Sequence, residues 1–399
     1  MFLMHENIPV ANVTMQLGHI IRVNQVYNEI LLPPGTRKVN RGNLSIFLES
    51  WQKERAIPYS RQCLDQYTSY FETSILEAAQ IFDSLSLTDH YWFKEENSNE
   101  KWEDICFQIN GFSNQFADYM LLSKKSGKPL PVPDINTDGV LQKLWINTSN
   151  GPMLYKYGDF GNDCNCNLLS ANEIIGTRVG NLMEIPVVQY KIARLPDEDI
   201  PVCACESFVQ DNSEFVTAAQ LQKDHIGEPF DLYTQMSKMG FKENLDQMIL
   251  FDFLLHNKDR HLRNFGFERD AKTLEVTRFA PLFDQGSCLA FDGLLNDAST
   301  KPFKASRSEQ IAMLKEIPDL PMQNEIEAII EDVYAEFSVP ERQLRVAKED
   351  LKTTYRELQR IRNEMLWISE TRDKQNHPEQ AKEQTQMKIA KEDGIRDEM

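Results

Sequence analysis

Two stretches constrain this chain more than any other feature: Leu254–Phe267, LLHNKDRHLRNFGF, and Ala280–Leu289, APLFDQGSCL. The first sets Asp259 five residues before Asn264, and the second sets Asp284 twenty residues after Asn264. Asp-x4-Asn followed by Asp-x-Gly supplies what phosphoryl transfer needs. One carboxylate accepts the proton of an attacking hydroxyl, and amide and carboxylate oxygens hold Mg²⁺ on the phosphates. Three oxygen-bearing side chains on two rigid loops suffice, because such a transfer asks for little covalent chemistry from the protein.

The residues around these loops predict the elements that would carry them. Phe241–Asn257 has apolar side chains near helical spacing, which predicts a helix that delivers Asp259 at its C-terminal end. A short strand that begins at Asn264 would pair with Arg278–Phe283. Such a hairpin would return Asp284 to the side of Asn264, so both loops are expected to form one centre.

The two stretches resemble the HipA-like protein kinases, distant relatives of the eukaryotic protein kinases and of the phosphatidylinositol kinases. The resemblance covers about Asn136–Pro340. It rests on the order Lys, Glu, Asp-x4-Asn, Asp, which is more specific than any one of these elements. It implies an α+β, bilobal protein-kinase-like fold with a mainly antiparallel β nucleotide lobe and a helical C-terminal lobe. It also implies ATP and Mg²⁺ as cofactors and a protein Ser or Thr hydroxyl as the acceptor.

This interpretation divides the chain into three parts. Residues 1–130 are expected to form an accessory domain, with aromatic-rich segments that pack it on the next part. Residues 131–340 would be the kinase domain, with the nucleotide lobe at about 131–208 and the C-terminal lobe at about 209–340. A proline-marked segment, PLPVPDINTDG, is the predicted junction. Residues 341–399 are predicted as a long amphipathic helix followed by a polar tail.

A lysine and a glutamate in the nucleotide lobe are candidates for phosphate binding. Lys156 lies on the second of two predicted strands, Val140–Thr148 and Pro152–Tyr157, around an Asn-Gly turn signal. Glu173 lies in the first turns of a predicted helix, Leu169–Met183. The resemblance implies that this pair holds the α- and β-phosphates. Without the later motifs, the pair would be a surface lysine and a favourable charge near a helix start.

The other nucleotide contacts are implied by the resemblance alone. Thr137–Lys143 stands where the family has its phosphate loop, although it has one glycine in place of the repeated glycines of a Gly-rich loop. The alternative for this segment is a simple turn into a strand. Val202–Val209 is predicted as a strand that leads into a hinge, where backbone groups around Glu206–Phe208 would bind adenine. The nucleotide-binding residues implied in this way are Gly139, Gln142, Lys143, Lys156, Glu173, Glu206, Phe208, His261, Asn264 and Asp284, with Asp259 as the catalytic base and Asn264 and Asp284 as the metal ligands.

Two other functions stay open at this point. His256, Asp259 and His261 form an H-x-x-D-x-H pattern that would suit a metal-dependent hydrolase, but no second set of ligands accompanies it. A catalytically weak nucleotide-binding scaffold is the other alternative, and the single-glycine loop favours it. The presence of every other motif residue argues against the scaffold.

Composition excludes several classes of partner. The 399 residues carry a formal net charge of -18, which argues against direct binding of nucleic acid or of anionic membranes. No apolar run approaches the roughly 20 residues of a membrane span. The N-terminus has no basic region with an apolar core behind it, so a cytoplasmic protein is expected. The seven cysteines include the pairs Cys164/Cys166 and Cys203/Cys205, but C-x-C spacing suits zinc poorly and reduced thiols are the preferred interpretation.

The C-terminal part offers a surface for partners. Glu341–Ile368 repeats apolar residues at three- and four-residue steps, which predicts a helix that either packs on the kinase lobe or forms a coiled-coil homodimer. Beyond Glu370 the chain is almost wholly polar, and a frayed or disordered tail is predicted. The expected partners are a protein substrate and, from the family resemblance, an antitoxin-like protein.

Overall fold

The first section of the chain forms an antiparallel sheet with small helices around it. In the computed structural model, which describes residues 1–139, 141–157, 165–195, 200–210, 212–224, 231–289, 303 and 305–376, the strand order of this sheet is β3-β2-β1-β4. The strands are β1 (Phe2–His5), β2 (Ile8–Gln16), β3 (His19–Val26) and β4 (Tyr91–Lys94). The helices are α1 (Leu44–Arg55), α2 (Leu64–Phe71), α3 (Ile75–Ile81), α4 (Trp102–Ile105), α5 (Phe107–Asn110) and α6 (Gln115–Leu122).

Helix α1 covers this sheet because its apolar residues recur on one face. Leu44, Leu48 and Trp51 are spaced by four and three residues, and all three are buried in one cluster with Val10 and Val13 of β2. Residues 60–81 are helical in sequence pattern, and the structure forms two helices there, α2 and α3, with residues 72–74 between them. The second of these begins where the Ser74 hydroxyl accepts a hydrogen bond from the Glu77 amide.

The second sheet carries the predicted lysine strand. Its order is β5-β6-β8-β7 and every pairing is antiparallel. The register sets Lys143 opposite Lys156, and Gly151 closes the predicted turn between the first two strands. The sequence pattern of residues 185–193 predicts a strand, and residues 191–193 do lie in a strand, whereas residues 185–190 contribute an isolated parallel bridge, Val187 to Leu282. The elements are β5 (Lys143–Thr148), β6 (Gly151–Lys156), α7 (Asn165–Leu182), β7 (Lys191–Arg194) and β8 (Pro201–Glu206).

A third sheet, of order β11-β10-β9, stands among the later helices. The predicted hairpin is confirmed, since β10 pairs with β11 with Phe267 opposite Phe279. The acidic composition after Val209 predicts a helical region, which is wrong for residues 213–217, because they form the third strand. The elements are β9 (Ser213–Thr217), α8 (Ala218–Lys223), α9 (Leu232–Met236), α10 (Lys242–Leu254), β10 (Gly266–Asp270), β11 (Val276–Phe279), α11 (Arg307–Ile311), α12 (Gln323–Glu336) and α13 (Glu341–Asn376).

Strand β9 forms because its acidic residue has buried partners in other parts of the chain. Glu214 is fully buried, and Arg269 of β10 donates a hydrogen bond to it at 2.7 Å. His5 of β1 and the backbone amide of His90 also contact this carboxylate, each at 2.9 Å. Burial alone would raise the pKa of Glu214, but Arg269 and His5 lower it to about 2. The first sheet and the third are therefore tied through one buried carboxylate.

Apolar packing also joins the first section to the second sheet. Tyr67 and Phe116 share a buried cluster with Leu144 and Tyr157. A larger cluster unites α7, α10, α12 and α13 with β10. The mixture of helices with antiparallel sheets agrees with the predicted α+β class.

Helix α13 packs on its own chain for most of its length. Ala347, Leu351 and Leu358 are buried in the same cluster as α10 and α12. The apolar stripe of α13 thus packs on the helices of its own chain, as one of the two predictions had it, while Leu366 and Trp367 near the end are exposed. The helix continues to Asn376, so the disordered tail predicted from residue 371 is wrong for residues 371–376, and residues 377–399 lie outside the described part. Within the described ranges, no helix has the length and apolar character to cross a membrane.

Candidate active site

A buried lysine joins two carboxylates at the centre of the main cleft. The ammonium of Lys156, on β6, lies 2.5 Å from Glu173 Oε1 and 2.5 Å from Asp284 Oδ1. It also stands over the Tyr190 ring, 5.0 Å from the centroid. Burial opposes the charged ammonium, but Asp284 and Glu173 outweigh it and hold the pKa of Lys156 well above its ordinary value. The strand lysine and the helix glutamate are brought together as the sequence predicted.

Glu173 lies deeper in its helix than the sequence suggested. Helix α7 begins at Asn165, so Glu173 is in its third turn and not in its first turns. Its second oxygen accepts a hydrogen bond from the Gln285 amide at 2.8 Å. Glu173 therefore contacts both the lysine and the backbone next to Asp284, which explains how a glutamate far from the helix end can be buried.

Asp284 is held as an anion in a constrained backbone conformation. Burial alone would raise the pKa of its carboxyl, but Lys156 and Lys143 hold it well below the ordinary value. Its φ of 62° lies in the left-handed region. From α7, the Asn172 side chain donates hydrogen bonds to the Gly286 and Cys288 carbonyls at 3.0 and 2.9 Å. These contacts shape the turn that presents Asp284.

A buried arginine connects the two motif loops. The Arg260 guanidinium donates to both carboxylate oxygens of Asp252, at 2.8 and 3.0 Å. It also donates to the carbonyls of Asn264 and Phe283, at 2.6 and 2.7 Å, and to the Gln285 side chain at 3.0 Å. One side chain thus holds the Asp-x4-Asn loop against the Asp-x-Gly loop. The sequence alone predicts a local hydrogen bond or ion pair for Arg260, and it gives no signal for Asp252 and Gln285.

Two asparagines set the geometry of the Asp-x4-Asn loop. The Asn257 Oδ1 accepts a hydrogen bond from the Asp259 amide at 3.1 Å. Its amide nitrogen donates to Asp252 at 3.1 Å and to Gln285 at 3.0 Å. Asn264 donates from Nδ2 to the Asp259 carbonyl at 2.9 Å, which leaves Asn264 Oδ1 for another partner. The Asp259 side chain is exposed.

The start of this loop is held from α13. His256 Nδ1 lies 2.6 Å from Asp350 Oδ1, and both side chains are buried. The hydroxyl of Thr354, one helical turn further on, donates to the Leu254 carbonyl at 2.9 Å. His261, predicted near the nucleotide, accepts a hydrogen bond from the Arg263 amide at its Nδ1. The H-x-x-D-x-H pattern is therefore split, with its first histidine turned into the core.

The segment 137–143 lines the cleft with two of its three predicted residues. Gly139 and Lys143 line it, whereas Gln142 is buried and is not among the lining residues that the structure describes. Gly139 has a φ of +111°, and a Cβ there would lie 2.3 Å from the Lys143 ammonium. That ammonium donates to the Asp138 carbonyl at 2.7 Å. Burial, with the nearby charge of Arg61, lowers the pKa of Lys143 to about 8.

The far end of the cleft is aromatic. Phe208 stacks on Phe283, with centroids 5.8 Å apart, and Phe215 meets each of these two rings edge-on. Glu206 also lines this end, and its side chain pairs with Lys191 at 3.2 Å. Such aromatic surfaces suit a flat apolar ligand such as a nucleobase. Phe215 was missed because the strand that carries it was not predicted.

The cleft gathers most of the predicted residues and adds others from the first section. Glu173, Asp259 and His261 do not appear among its described lining residues, although Glu173 and Asp259 bond groups that do. From the first section, the cleft takes residues that the sequence did not mark. The described lining residues are Glu54, Arg55, Ser86, Leu87, Thr88, Asp89, Asn136, Thr137, Asp138, Gly139, Lys143, Trp145, Leu154, Lys156, Val188, Tyr190, Cys205, Glu206, Ser207, Phe208, Val209, Phe215, Thr217, Gln220, Arg263, Asn264, Phe283 and Asp284.

The metal-site alternatives receive no support from the described residues. Among them, no group of three His, Cys, Asp or Glu side chains is placed to hold a metal ion. Cys203 and Cys205 are buried free thiols on one face of β8, and burial raises the pKa of Cys205 to about 12. Cys164 lies outside the described residues.

Known proteins resemble this chain in sequence family and in fold. A family model for the HipA-like C-terminal domain matches residues 135–339. A chain from the Shewanella oneidensis MR-1 toxin–antitoxin complex of HipA, HipB and operator DNA has a similar fold, with 13% identity, coverage of 88% of this chain and 96% of that chain, and a TM-score of 0.50. The Helicobacter pylori proinflammatory kinase CtkA matches with 17% identity, coverage of 57% and 95%, and a TM-score of 0.37. A search of curated proteins finds no match.

The family assignment rests on the extent of the family-model match. It begins just before the segment 137–143 and ends between α12 and α13, so it contains the lysine strand and both motif loops. It spans more than half of the chain. This protein therefore belongs to the family of proteins with a HipA-like C-terminal domain.

Proposed function

We propose that this protein is an ATP- and Mg²⁺-dependent kinase that transfers the γ-phosphoryl group to a Ser or Thr hydroxyl of a protein. The observation that carries the proposal is the contact of buried Lys156 with both Glu173 and Asp284, at 2.5 Å each. This contact lies in a cleft that Asn264 also lines. In protein kinases a strand lysine paired with a helix glutamate, together with an aspartate that holds Mg²⁺, surrounds the phosphates.

The donor groups of the cleft fit a magnesium ion. Asp284 is anionic, and Asn264 directs its Nδ2 to a carbonyl, which leaves the amide oxygen for a cation. Mg²⁺ is commonly bound by one or two protein oxygens, with phosphate and water completing its octahedron. When bound, Mg²⁺ would neutralise charge that develops on the phosphates. Lys156 and Lys143 would bind phosphate oxygens, and the ring of Phe208 would lie against the base.

Asp259 is the proposed catalytic base. Its carboxylate is exposed, and its backbone is held by Asn257 and Asn264. The carboxylate would accept the proton of the acceptor hydroxyl as that oxygen forms its bond to the γ-phosphorus. The bond between the γ-phosphorus and the β-γ bridging oxygen breaks, and ADP leaves. The products are ADP and a phosphorylated side chain.

A toxin–antitoxin role is the corresponding proposal for the biological context. Its support is the family membership and the fold shared with the S. oneidensis complex, which holds HipB and operator DNA. An antitoxin-like protein is therefore the proposed partner of this chain. Any contact with DNA would then come through that partner, in keeping with the acidic composition of this chain.

The experiment is a transfer assay with γ-labelled ATP and Mg²⁺, alone and with a cell lysate, for the wild type and for Asp259→Asn. Loss of a general base lowers the rate by about 10²–10⁴-fold, while ATP binding should be retained. Label that only the wild type transfers would establish a kinase and show whether the acceptor is the chain itself or another protein. Equal transfer by Asp259→Asn would refute the assignment. ATP binding without any transfer would favour a nucleotide-binding scaffold.

A further inference from the structure

The segment 137–143 is held in shape by an arginine from outside the family domain. Arg61 lies in the loop between α1 and α2, and its side chain is buried. Its Nη1 donates a hydrogen bond to the Leu141 carbonyl at 2.8 Å, and its Nη2 donates to the Thr137 carbonyl. These two carbonyls stand on either side of Gly139. A planar guanidinium can bridge two acceptors in this way because its N–H groups form a rigid fork.

This bridge determines which backbone groups face the other side of the segment. In a trans peptide, the carbonyl of one residue and the N–H of the next point in opposite directions. With the carbonyls of Thr137 and Leu141 turned to Arg61, the N–H groups of Asp138 and Gln142 point away from it, and of these two residues Asp138 is a described lining residue of the cleft. Backbone N–H groups presented by a turn can bind anions. A loop with repeated glycines reaches such a shape by its own flexibility, whereas this segment has one glycine and an external clamp.

Other groups of the first section and of β5 complete the clamp. The Tyr67 hydroxyl of α2 donates to the Lys143 carbonyl at 3.1 Å. Asp134 accepts a hydrogen bond from the Trp145 amide at 3.0 Å, which anchors the start of β5. Arg61 also adds a buried positive charge close enough to Lys143 to lower the pKa of that lysine. Shape and charge at the segment therefore both depend on Arg61.

We propose that Arg61 is a positioning residue for the triphosphate, and that it sets the affinity of the cleft for the β- and γ-phosphates by holding Thr137 and Leu141. The role rests on the proposed nucleotide function of the cleft. Through Arg61, the section of the chain before the family domain would help to determine the affinity for phosphate. The same section also contributes residues to the wall of the cleft. Loss of a purely structural arginine would lower the affinity for all ligands of the cleft by the same factor. Loss of a phosphate-positioning arginine lowers the affinity more for ligands with more phosphate groups.

The test measures dissociation constants of the full chain for ATP, ADP, AMP and adenosine, all with Mg²⁺, by calorimetry. Arg61→Gln should lower the affinity for ATP by about 10-fold or more, because two charge-assisted hydrogen bonds are lost. The affinities for ADP and AMP should fall less, and the affinity for adenosine should not change. Arg61→Lys keeps the charge without the fork and should fall between the wild type and Arg61→Gln. Arg22→Gln, an exposed arginine on β3, is the matched control and should leave all four constants unchanged.

The outcomes separate this role from the proposed function. If Arg61→Gln lost as much affinity for adenosine as for ATP, or lost no affinity for ATP, the proposed role of Arg61 would be overturned. A wild-type chain that bound no nucleotide would overturn the proposed function and this role together. If circular dichroism showed that Arg61→Gln does not fold, the same four affinities would be measured on Arg61→Lys. A loss of affinity confined to the phosphorylated ligands would support the role, and an equal loss for all four ligands would overturn it.

Discussion

The proposed phosphate segment, residues 137–143, and the proposed catalytic loop, residues 256–264, are built in opposite ways. The catalytic loop is bonded through its own side chains: Arg260 and Asn257 form one buried network with Asp252 and Gln285, and His256 contacts Asp350 of α13. The phosphate segment is held through its backbone carbonyls, chiefly by Arg61 of the first section. The catalytic loop thus depends on the identity of its own residues, and the phosphate segment on the residues that surround it.

This difference explains why one region was visible in the sequence and the other was not. Proton transfer and metal binding require particular side chains at a short spacing, and so Asp259, Asn264 and Asp284 form a motif. Phosphate binding by backbone N–H groups requires a conformation, which different residues can produce. An arginine that bonds a carbonyl 80 residues later leaves no local pattern. A single-glycine loop is therefore no evidence against phosphate binding where a distant side chain supplies the shape.

The largest effect is expected from breaking the network of the catalytic loop. Arg260→Met leaves the buried carboxylate of Asp252 without its cation, which costs about 3–5 kcal/mol of unfolding free energy. Chemical denaturation measures this loss directly. Arg263→Gln on the same loop is the control, because its side chain is 46% exposed and its pairing with Asp138 is a distant 3.5 Å. That change should stay within about 0.5 kcal/mol of the wild type. Equal losses for the two variants would show that the network does not stabilise the loop.

Local patterns predicted the elements around the site but not their long-range contacts. Apolar periodicity located α10 and the hairpin β10–β11, because each buries one regular face. The strand β9 was missed because a glutamate is usually exposed, and the burial of Glu214 depends on distant partners such as His5 and Arg269. The residue Asp350, which contacts His256 from 94 positions away, was likewise beyond any spacing argument.

The start of helix α7, and with it the position of Glu173, was also predicted inexactly from local patterns. The segment before Leu169 is rich in Asn, Asp and Cys, which favour turns and caps over helix interiors, so the helix was predicted to start late. The structure starts α7 at Asn165. Tertiary packing overrides weak propensity here, since Ala171, Ile175 and Val179 give the helix a fully buried face.

An intermediate effect is expected from the aspartate that the two loops share. Asp284→Asn keeps the shape of the side chain but removes the negative charge that would face Mg²⁺. ATP affinity in the presence of Mg²⁺ should fall by at least about 10-fold, as is typical when the shell of a metal is weakened. Affinity measured without Mg²⁺ should change little, and this comparison is the internal control. An unchanged affinity with Mg²⁺ would count against a metal role for Asp284.

The smallest effect concerns the phosphate segment and depends on pH. Burial and the nearby charges of Arg61 and Lys156 lower the pKa of Lys143 to about 8. Asp284 and Asp138 favour the charged form and oppose part of this decrease. The charged ammonium binds phosphate, so ATP affinity should be constant below pH 8. Above that pH it should fall by up to about 10-fold per unit, because binding must then take up one proton.

Lys143→Arg distinguishes this lysine from the other groups of the cleft. Arginine stays protonated throughout this range, so the variant should show a flat affinity between pH 7 and about pH 9.5 where the wild type declines. Calorimetry at each pH, in buffers of different ionisation enthalpy, also counts the proton taken up by the wild type. A decline of the same slope in Lys143→Arg would assign the titration to another group and remove Lys143 from the phosphate site. A flat affinity profile for Lys143→Arg beside a declining one for the wild type would show that the segment binds phosphate through a side chain as well as through its clamped backbone.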